Sequence, residues 1–365
     1  MKFMAEKNTI LDSLQIVQSI VGMRHTIPVL GNVLISASNN KISFTTTDID
    51  VSIRSSFSAN VEEEGSTTLP VKRVLNIIKE LPDDEINIDS NEDNVSEVVC
   101  NSSKFKIIGL PESDFPEFPK LDGEFSFVIE QGIFKDMLKK IAYSTSTDET
   151  RRTLSGVFMQ FKDEKLTMVA TDCRRLSLIE QEMEFPKEAE NEVIIPNKTV
   201  NYLLHILQNE DSELKIYVKN SMIMFEFDEV IMVSKLIDGV YPNYKQVIPA
   251  QCEKRVQISR EDLLAAIRRV SLVINSETIS VKLQFENNSL QLSITSPEIG
   301  EAQENIPIKY SDDKTVIGFN PIFMMDALKN LTSDDIYLEF TDNLSAGVIK
   351  CDIPFLCVIM PMRLD

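Results

Sequence analysis

Apolar and polar residues alternate over short stretches of this chain, and the alternation gives way six times to the three-to-four spacing of an amphipathic helix. That spacing predicts helices over 8–21, 71–81, 130–143, 197–208, 259–274 and 320–333. Start signals accompany several of them. Ser259 stands three residues before Asp262, a capping-box-like opening. LPVKRVLNIIKEL, IPNKTVNYLLHIL and FNPIFMMDALKNL each place a proline near the helix start, where its missing N–H costs nothing. Between the helices, segments such as EINIDS, KFKIIGL, ELKIYV, MIMFEF and DIYLEF read as short strands.

The pattern repeats. NKISFTTTDI from Asn40, EKLTMVATDC from Glu164 and NSLQLSITSP from Asn288 align without gaps, so that Thr47, Thr171 and Thr295 are each 124 residues apart. A constant double offset points to an internal repeat, which decides the architecture before any single element does. Each unit runs helix, strands, helix, strands, an α+β arrangement occurring three times. The proline-rich turns DFPEFP and YPNYKQVIP close the first two units. They place boundaries near residues 122 and 250 and divide the chain into 1–122, 123–250 and 251–365. At 365 residues the chain exceeds what one hydrophobic core sustains, which agrees with several domains.

Composition is that of an ordinary globular protein, 43% apolar and 26% charged. The opening MKFMAEKNTILDS is too polar for a signal peptide, and no apolar run approaches the roughly 20 residues that span a bilayer; the chain reads as cytosolic, with no membrane partner. Five scattered cysteines and two histidines offer no zinc spacing, so reduced thiols and no metal are expected. The net charge of −20 argues at first against nucleic acid. Its distribution reverses that reading. The six predicted helices carry eleven basic against seven acidic residues, a net +4 that leaves −24 for the rest. The basic set is Lys72, Arg73, Lys79, Lys135, Lys139, Lys140, Lys198, Arg260, Arg268, Arg269 and Lys329. Solvated helix faces would account for any one of them. Together they suggest a common surface for a polyanion, bound through phosphates without reading sequence. The candidate contacts are Lys72, Arg73, Lys79, Lys135, Lys139, Lys198, Arg268 and Arg269, with Arg24 on the loop after the first helix. Few aromatic residues interleave with them, which suits a duplex better than a stacked single strand.

The chain resembles the β subunit of the bacterial replicative DNA polymerase, the sliding-clamp family. The resemblance runs end to end and is carried by MKF at the start, HTIPVLGNVLI from His25, VATDCRRLSL from Val169, SKLIDGVYPNYKQVIP from Ser234, IGFN from Ile317 and MPMRL from Met360. It implies a processivity fold of three clamp domains, two helices per domain lining a central hole with antiparallel sheets outside, closed into a ring by a head-to-tail homodimer. Twelve helices about 10 Å apart trace a circle roughly 38 Å across, which leaves about 27 Å inside for duplex DNA. Implied partners are double-stranded DNA, the replicative polymerase α subunit, the clamp loader and other proteins bearing a clamp-binding motif; no cofactor is implied.

The resemblance also implies a partner cleft that takes a short apolar segment. Its positions here are Leu154, Thr171, Cys173, Arg174, Arg175, Leu176, Pro242, Gln246, Val247, Thr278, Asn320, Phe323, Leu344 and Ala346, with the tail Val358, Ile359, Met360, Pro361, Met362, Arg363 and Leu364. Apolar residues beside turns suit a groove for Leu and Phe anchors, although Leu176 or Val247 taken alone reads as core. Gln246 stands where an arginine is common in the family, Thr278 where an aromatic sits, Cys173-Arg174 where Gly-His is familiar, and Asp365 lengthens the tail. These departures bear on peptide preference rather than on the existence of the cleft. For closure, the resemblance places Phe105 and Ile107 against Leu272 and Val273 of a second copy. Lys104, Lys106 and Arg73 would face Glu298, Glu301 and Glu304.

Two other classes stand beside this reading. An enzyme would need catalytic motifs, and the chain has no GxxxxGK, GxGxxG or HExxH and only 11 glycines. Asp48 and Asp50 could hold a divalent cation, but carboxylates beside a strand end more often close a turn. A non-catalytic repeat scaffold that binds only proteins would explain an acidic surface but not the basic helices.

Overall fold

The computed structural model describes residues 1–22, 27–120, 127–148, 150–208, 211–275 and 280–364. Its helices are α1 (Lys7–Gln18), α2 (Val71–Glu80), α3 (Gln131–Ile141), α4 (Asn197–Ile206), α5 (Arg260–Val270) and α6 (Pro321–Asn330). Each stops one to four residues before the apolar spacing does. After α3 and α5 the chain tightens into short 3-10 turns at Ala142–Ser144 and Ser271–Val273. After α1, Ile20 and Val21 leave the helix yet stay buried. The apolar spacing reports burial, which continues past the last helical hydrogen bond. Ser259 caps α5 by accepting from the Asp262 N–H at 3.4 Å, and the Asn320 side chain accepts from the Ile322 N–H at 2.9 Å at the start of α6.

The strand that carries the repeated threonine enters each time through a two-residue hairpin turn. The turn residues are Asn39-Asn40, Asp163-Glu164 and Asn287-Asn288, all with φ between 48° and 61°. Two successive left-handed residues give the turn whose twist matches that of the paired strands. The turns are 124 residues apart, as the threonines are, so the repeat extends to backbone dihedrals.

The chain packs into two compact units. The first comprises Met1–Lys135 with Asn201–Leu236. Its five-stranded antiparallel sheet has the order Asn60–Glu63, Lys2–Glu6, Glu85–Ser90, Val95–Cys100, Ser103–Ile108. Its eight-stranded sheet begins Phe127–Glu130, Glu213–Lys219, Met222–Phe227, Val230–Lys235 and continues Val51–Ser58, Lys41–Thr47, Asn32–Ser38, Gly65–Pro70. α1 packs on α2 and on the strands Lys41–Thr47 and Val51–Ser58, burying Ile10, Leu14, Val17, Val74 and Ile78. Burial of side chains of this size stabilises by about 1.5–3 kcal/mol each. The Thr46 hydroxyl donates to the Val17 carbonyl at 2.6 Å, tying helix to sheet.

The second unit comprises Asp136–Val200 with Ile237–Asp365. Its eight-stranded sheet runs Asn191–Pro196, Gly156–Lys162, Lys165–Thr171, Arg175–Glu182, Phe355–Ile359, Gly347–Lys350, Asp335–Phe340, Lys254–Ser259. Its four-stranded sheet runs Gly300–Pro307, Ser289–Ser296, Val281–Glu286, Thr315–Phe319. α5 packs on α6 and on the strand Gly300–Pro307, burying Leu263, Ile267, Met324 and Leu328.

Compactness and repetition thus divide the chain differently. In the first unit, Val51–Ser58 of the first repeat pairs with Val230–Lys235 of the second. In the second unit, Arg175–Glu182 of the second repeat pairs with Phe355–Ile359 of the third. The division between units falls within α3 and α4. The expected boundary near residue 122 lies outside the described residues.

Candidate functional site

The second unit brings together several of the residues expected to form a cleft, around the loop Thr171–Arg175. The Thr171 hydroxyl donates to the Arg175 carbonyl at 2.6 Å and accepts from the Cys173 N–H at 3.1 Å. Asp172 Oδ1 accepts from the N–H groups of Arg174 and Arg175, both at 2.9 Å. This closure puts Cys173 in the left-handed region at φ 72°, a conformation that favours glycine. The first unit builds the same turn from Thr47 and Asp48, with Ile49 at φ 81°. Asp50 pairs there with Lys235 at 3.1 Å. Asp48 and Asp50 therefore close a strand turn.

Leu154, Leu176 and Val358 are buried in one apolar cluster with Phe158, Tyr241 and Tyr244, and Ala346 packs against it. Phe158 stacks on Tyr241 with ring centroids 5.0 Å apart. Burial pushes the Tyr241 phenol well above its usual range. Around this floor, Pro242, Gln246, Val247, Cys173 and Arg174 are exposed. Arg175 is held by Asp172, Asp326 and the Tyr143 carbonyl, and its guanidinium lies 4.4 Å from the centroid of Phe323.

The tail is bonded along its length. Val358 and Ile359 are buried in the strand pairing with Arg175 and Leu176. The Met360 N–H donates to the Arg174 carbonyl at 2.9 Å and the Met362 N–H to the Gly318 carbonyl at 2.8 Å. A Cβ on Gly318 would stand 2.7 Å from Leu364 Cδ2 and 2.9 Å from the Met362 carbonyl oxygen, so the tail lies against a surface that only glycine leaves open. Pro361 is half-buried and Arg363 exposed. Asn320 caps α6, while Leu344 is exposed on a turn closed by Asp342. Thr278 lies outside the described residues.

Sequence reasoning missed Tyr143, Phe158, Tyr241, Tyr244, Asp172 and Asp326. The YPNY spacing and the repeated Thr-Asp pair were visible signals for Tyr241, Tyr244 and Asp172. Asp326 had none, being 151 residues from the arginine it binds.

The basic helix residues divide. Lys72, Arg73, Lys79, Lys139, Lys198, Arg268 and Arg269 are exposed. Lys135 instead donates to the Leu207 carbonyl just past the end of α4, a favourable place for a cation. Lys140 is buried against Asp136. Arg269 donates Nη2 to Glu304 at 2.7 Å and Nε to the same carboxylate, holding Glu304 below the usual carboxylate range. That pairing weakens the case for Arg269 as a phosphate contact and for Glu304 as a group reserved for a second copy. Arg24 lies outside the described residues.

The smaller sheet of the first unit ends on an edge strand with apolar residues in solvent, and in the second unit such residues lie beside the edge strand. In the first unit, Phe105 is 39% exposed and Ile108 75%. Ile107, expected beside Phe105, is only 4% exposed and packs inside its own unit, so Ile108 is the exposed apolar residue at that end of the edge. Phe105 also lines a groove of about 730 Å³ with Pro70, Lys72, Arg73, Asn76, Ile77 and Glu80. Lys104 is paired with Glu97 at 2.8 Å, and Lys106 is exposed. In the second unit, Leu272 is 81% exposed, Val273 half-buried, and Glu298 and Glu301 exposed near the edge strand Gly300–Pro307.

Family models for the DNA polymerase III beta subunit match along the chain: the N-terminal domain over residues 1–119, the central domain over 128–243 and the C-terminal domain over 245–363. The beta sliding clamp of Chlamydia muridarum is 31% identical over 364 residues, covering 100% of this chain and 99% of that protein. That of Vibrio cholerae is 28% identical over 369 residues, with 100% of both covered. Among solved structures, the DNA polymerase sliding clamp of Bacillus subtilis superposes with a TM-score of 0.96 at 29% identity. The Pseudomonas aeruginosa DnaN sliding clamp bound to griselimycin gives the same TM-score and identity, and 100% of each chain is covered in both comparisons. Three domains of mixed helices and antiparallel sheets, each matched by a clamp-domain model, make this a DNA-clamp fold. The chain belongs to the DNA polymerase III β-subunit family, and it is a DNA sliding clamp.

Proposed function

We propose that two copies of this chain close head to tail into a ring around duplex DNA and tether the replicative polymerase α subunit, the clamp loader and other motif-bearing proteins. The chain does no chemistry itself and acts in the cytoplasm. The observation that carries closure is the pattern of strand pairing. Val51–Ser58 joins the first repeat to the second, and Arg175–Glu182 joins the second to the third. Ser103–Ile108 in the first repeat and Gly300–Pro307 in the third are each an edge strand of a smaller sheet, paired on one side alone. Unlike edges that pair head to tail close when the rotation allows it. Phe105, Ile108 and Leu272 would supply the apolar anchors, with the Phe105 groove as a socket. Lys106 and Arg73 would face Glu298 and Glu301, contributing orientation more than affinity.

DNA contact is then diffuse, made by the exposed helix cations. The floor around Tyr241 and the tail would receive a partner's Leu and Phe anchors. The assembled protein is tested by loading it on nicked circular and on linear DNA. Retention on circles with loss from free ends is expected, and equal retention on both would rule out encirclement and favour a scaffold that binds without topology.

A further inference from the structure

We propose that Asp326 is a positioning residue of the partner cleft: it holds the Arg175 guanidinium against the face of Phe323 and so presets the wall that an incoming apolar anchor meets. The inference rests on the reading of this region as the partner cleft. The family resemblance places Arg175 and Phe323 there and gives Asp326 no part.

The geometry accounts for every nitrogen of the guanidinium. Nη1 donates to Asp326 Oδ2 at 2.7 Å, Nε to Asp172 Oδ2 at 3.2 Å, and Nη2 to the Tyr143 carbonyl. The Arg175 side chain is only 10% exposed, so water competes weakly for these bonds. A planar cation with three fixed acceptors cannot turn about its own axis. Its central carbon Cζ is left 4.4 Å from the Phe323 centroid and 5.3 Å from that of Tyr143, within the range of cation–π attraction.

Asp326 and Phe323 stand three residues apart on α6, hence on one face of the helix. The carboxylate draws the guanidinium toward that face while the ring receives it. Asp172 serves a different end, because its other oxygen already closes the Thr171–Arg175 loop. Loss of Asp326 therefore leaves the loop closed and the arginine charge still partnered, but removes the pull toward α6. Phe323 then loses the partner that fixes its ring. A carboxylate that only stabilised the unit would alter melting without altering the cleft through Arg175.

The test titrates a fluorescent peptide copied from the clamp-binding segment of the replicative polymerase α subunit against the full-length chain. The variants are Asp326→Ala, Asp326→Glu, Arg175→Met and the double Asp326→Ala/Arg175→Met. Asp326→Ala should weaken binding about tenfold, Asp326→Glu should recover most of that loss, and Asp326→Ala should add less than about twofold once Arg175 is already Met. Unchanged affinity in Asp326→Ala would overturn the proposal, as would independent effects of the two residues that multiply in the double variant. If Asp326→Ala fails to fold, Asp326→Leu, which keeps a side chain of similar size but offers Nη1 no acceptor, takes its place under the same criteria. A wild-type chain that does not bind the peptide would instead overturn the cleft reading, and this inference with it.

Discussion

Six residues at the three repeated hairpins adopt left-handed backbone, and five of them are Asn or Asp, whose short polar side chains tolerate it. The sixth, Glu164, at φ 56°, lacks that tolerance. Glu164→Gly should therefore raise the unfolding free energy by about 0.5–1 kcal/mol in urea titrations, whereas Asn288→Gly should change it by a few tenths at most. Ile49 is the harder case, a β-branched residue at φ 81° on an exposed turn. Its conformation is imposed by the bonds that Thr47 and Asp48 make around it. Ile49→Asn should stabilise the protein by about 1 kcal/mol on the same measure, and destabilisation would show that the Ile49 side chain makes contacts worth more than its backbone strain.

Helices and edges carry the next set of expectations. The Ser259 hydroxyl satisfies one of the orphan N–H groups at the start of α5, so Ser259→Ala should cost about 1 kcal/mol. A loss below a few tenths in denaturant titration would mean that water replaces the cap. At the other end of the same helix, Leu272 and Val273 sit on the 3-10 turn beside an open sheet edge. Replacing both by Ala removes exposed apolar surface and leaves the core of the second unit intact, so monomers that remain folded are expected by sedimentation at low concentration. A double variant that still sediments as a dimer would move the interface elsewhere.

At the scale of the whole molecule, a chain of net charge −20 holds DNA only if its cations are gathered on one surface. Neutralising Lys79, Lys139 and Arg268, all exposed, should weaken retention on circular DNA and flatten its salt dependence by about one unit for each phosphate that no longer meets a cation. Unchanged salt dependence would remove these helices from the DNA path. Partner binding and closure should also separate. Deleting Met362–Asp365 removes the hydrogen bond to Gly318 and the packing of Leu364 against it, yet touches neither open edge. The truncated chain is expected to remain dimeric while its affinity for a polymerase-derived peptide falls roughly thirtyfold or more. Light scattering and fluorescence titration on one preparation decide this, and loss of the dimer would show that the tail supports both functions.

The repeat, the six helices and the family were legible in the sequence because each rests on local order: periodicity or a motif read in a short window. For Lys135, Arg269 and Ile107 the folded chain adds partners and cover that the same reading could not see. Whether a lysine faces solvent or closes a helix end, as Lys135 does on Leu207, depends on a carbonyl 72 residues away. Whether an arginine is available to a phosphate depends on Glu304, 35 residues on. Phe105 and Ile107 share one face of their strand, yet Phe105 is 39% exposed and Ile107 4%, so how far the covering layer reaches along that face is settled by packing. The grouping of Leu154, Tyr241 and Val358, and the grip of Asp326 on Arg175, are of the same kind. Sequence determined what each segment forms. Tertiary structure decided which charges are already partnered and which apolar residues remain for another molecule, because both depend on groups that only the folded chain brings within a few ångströms.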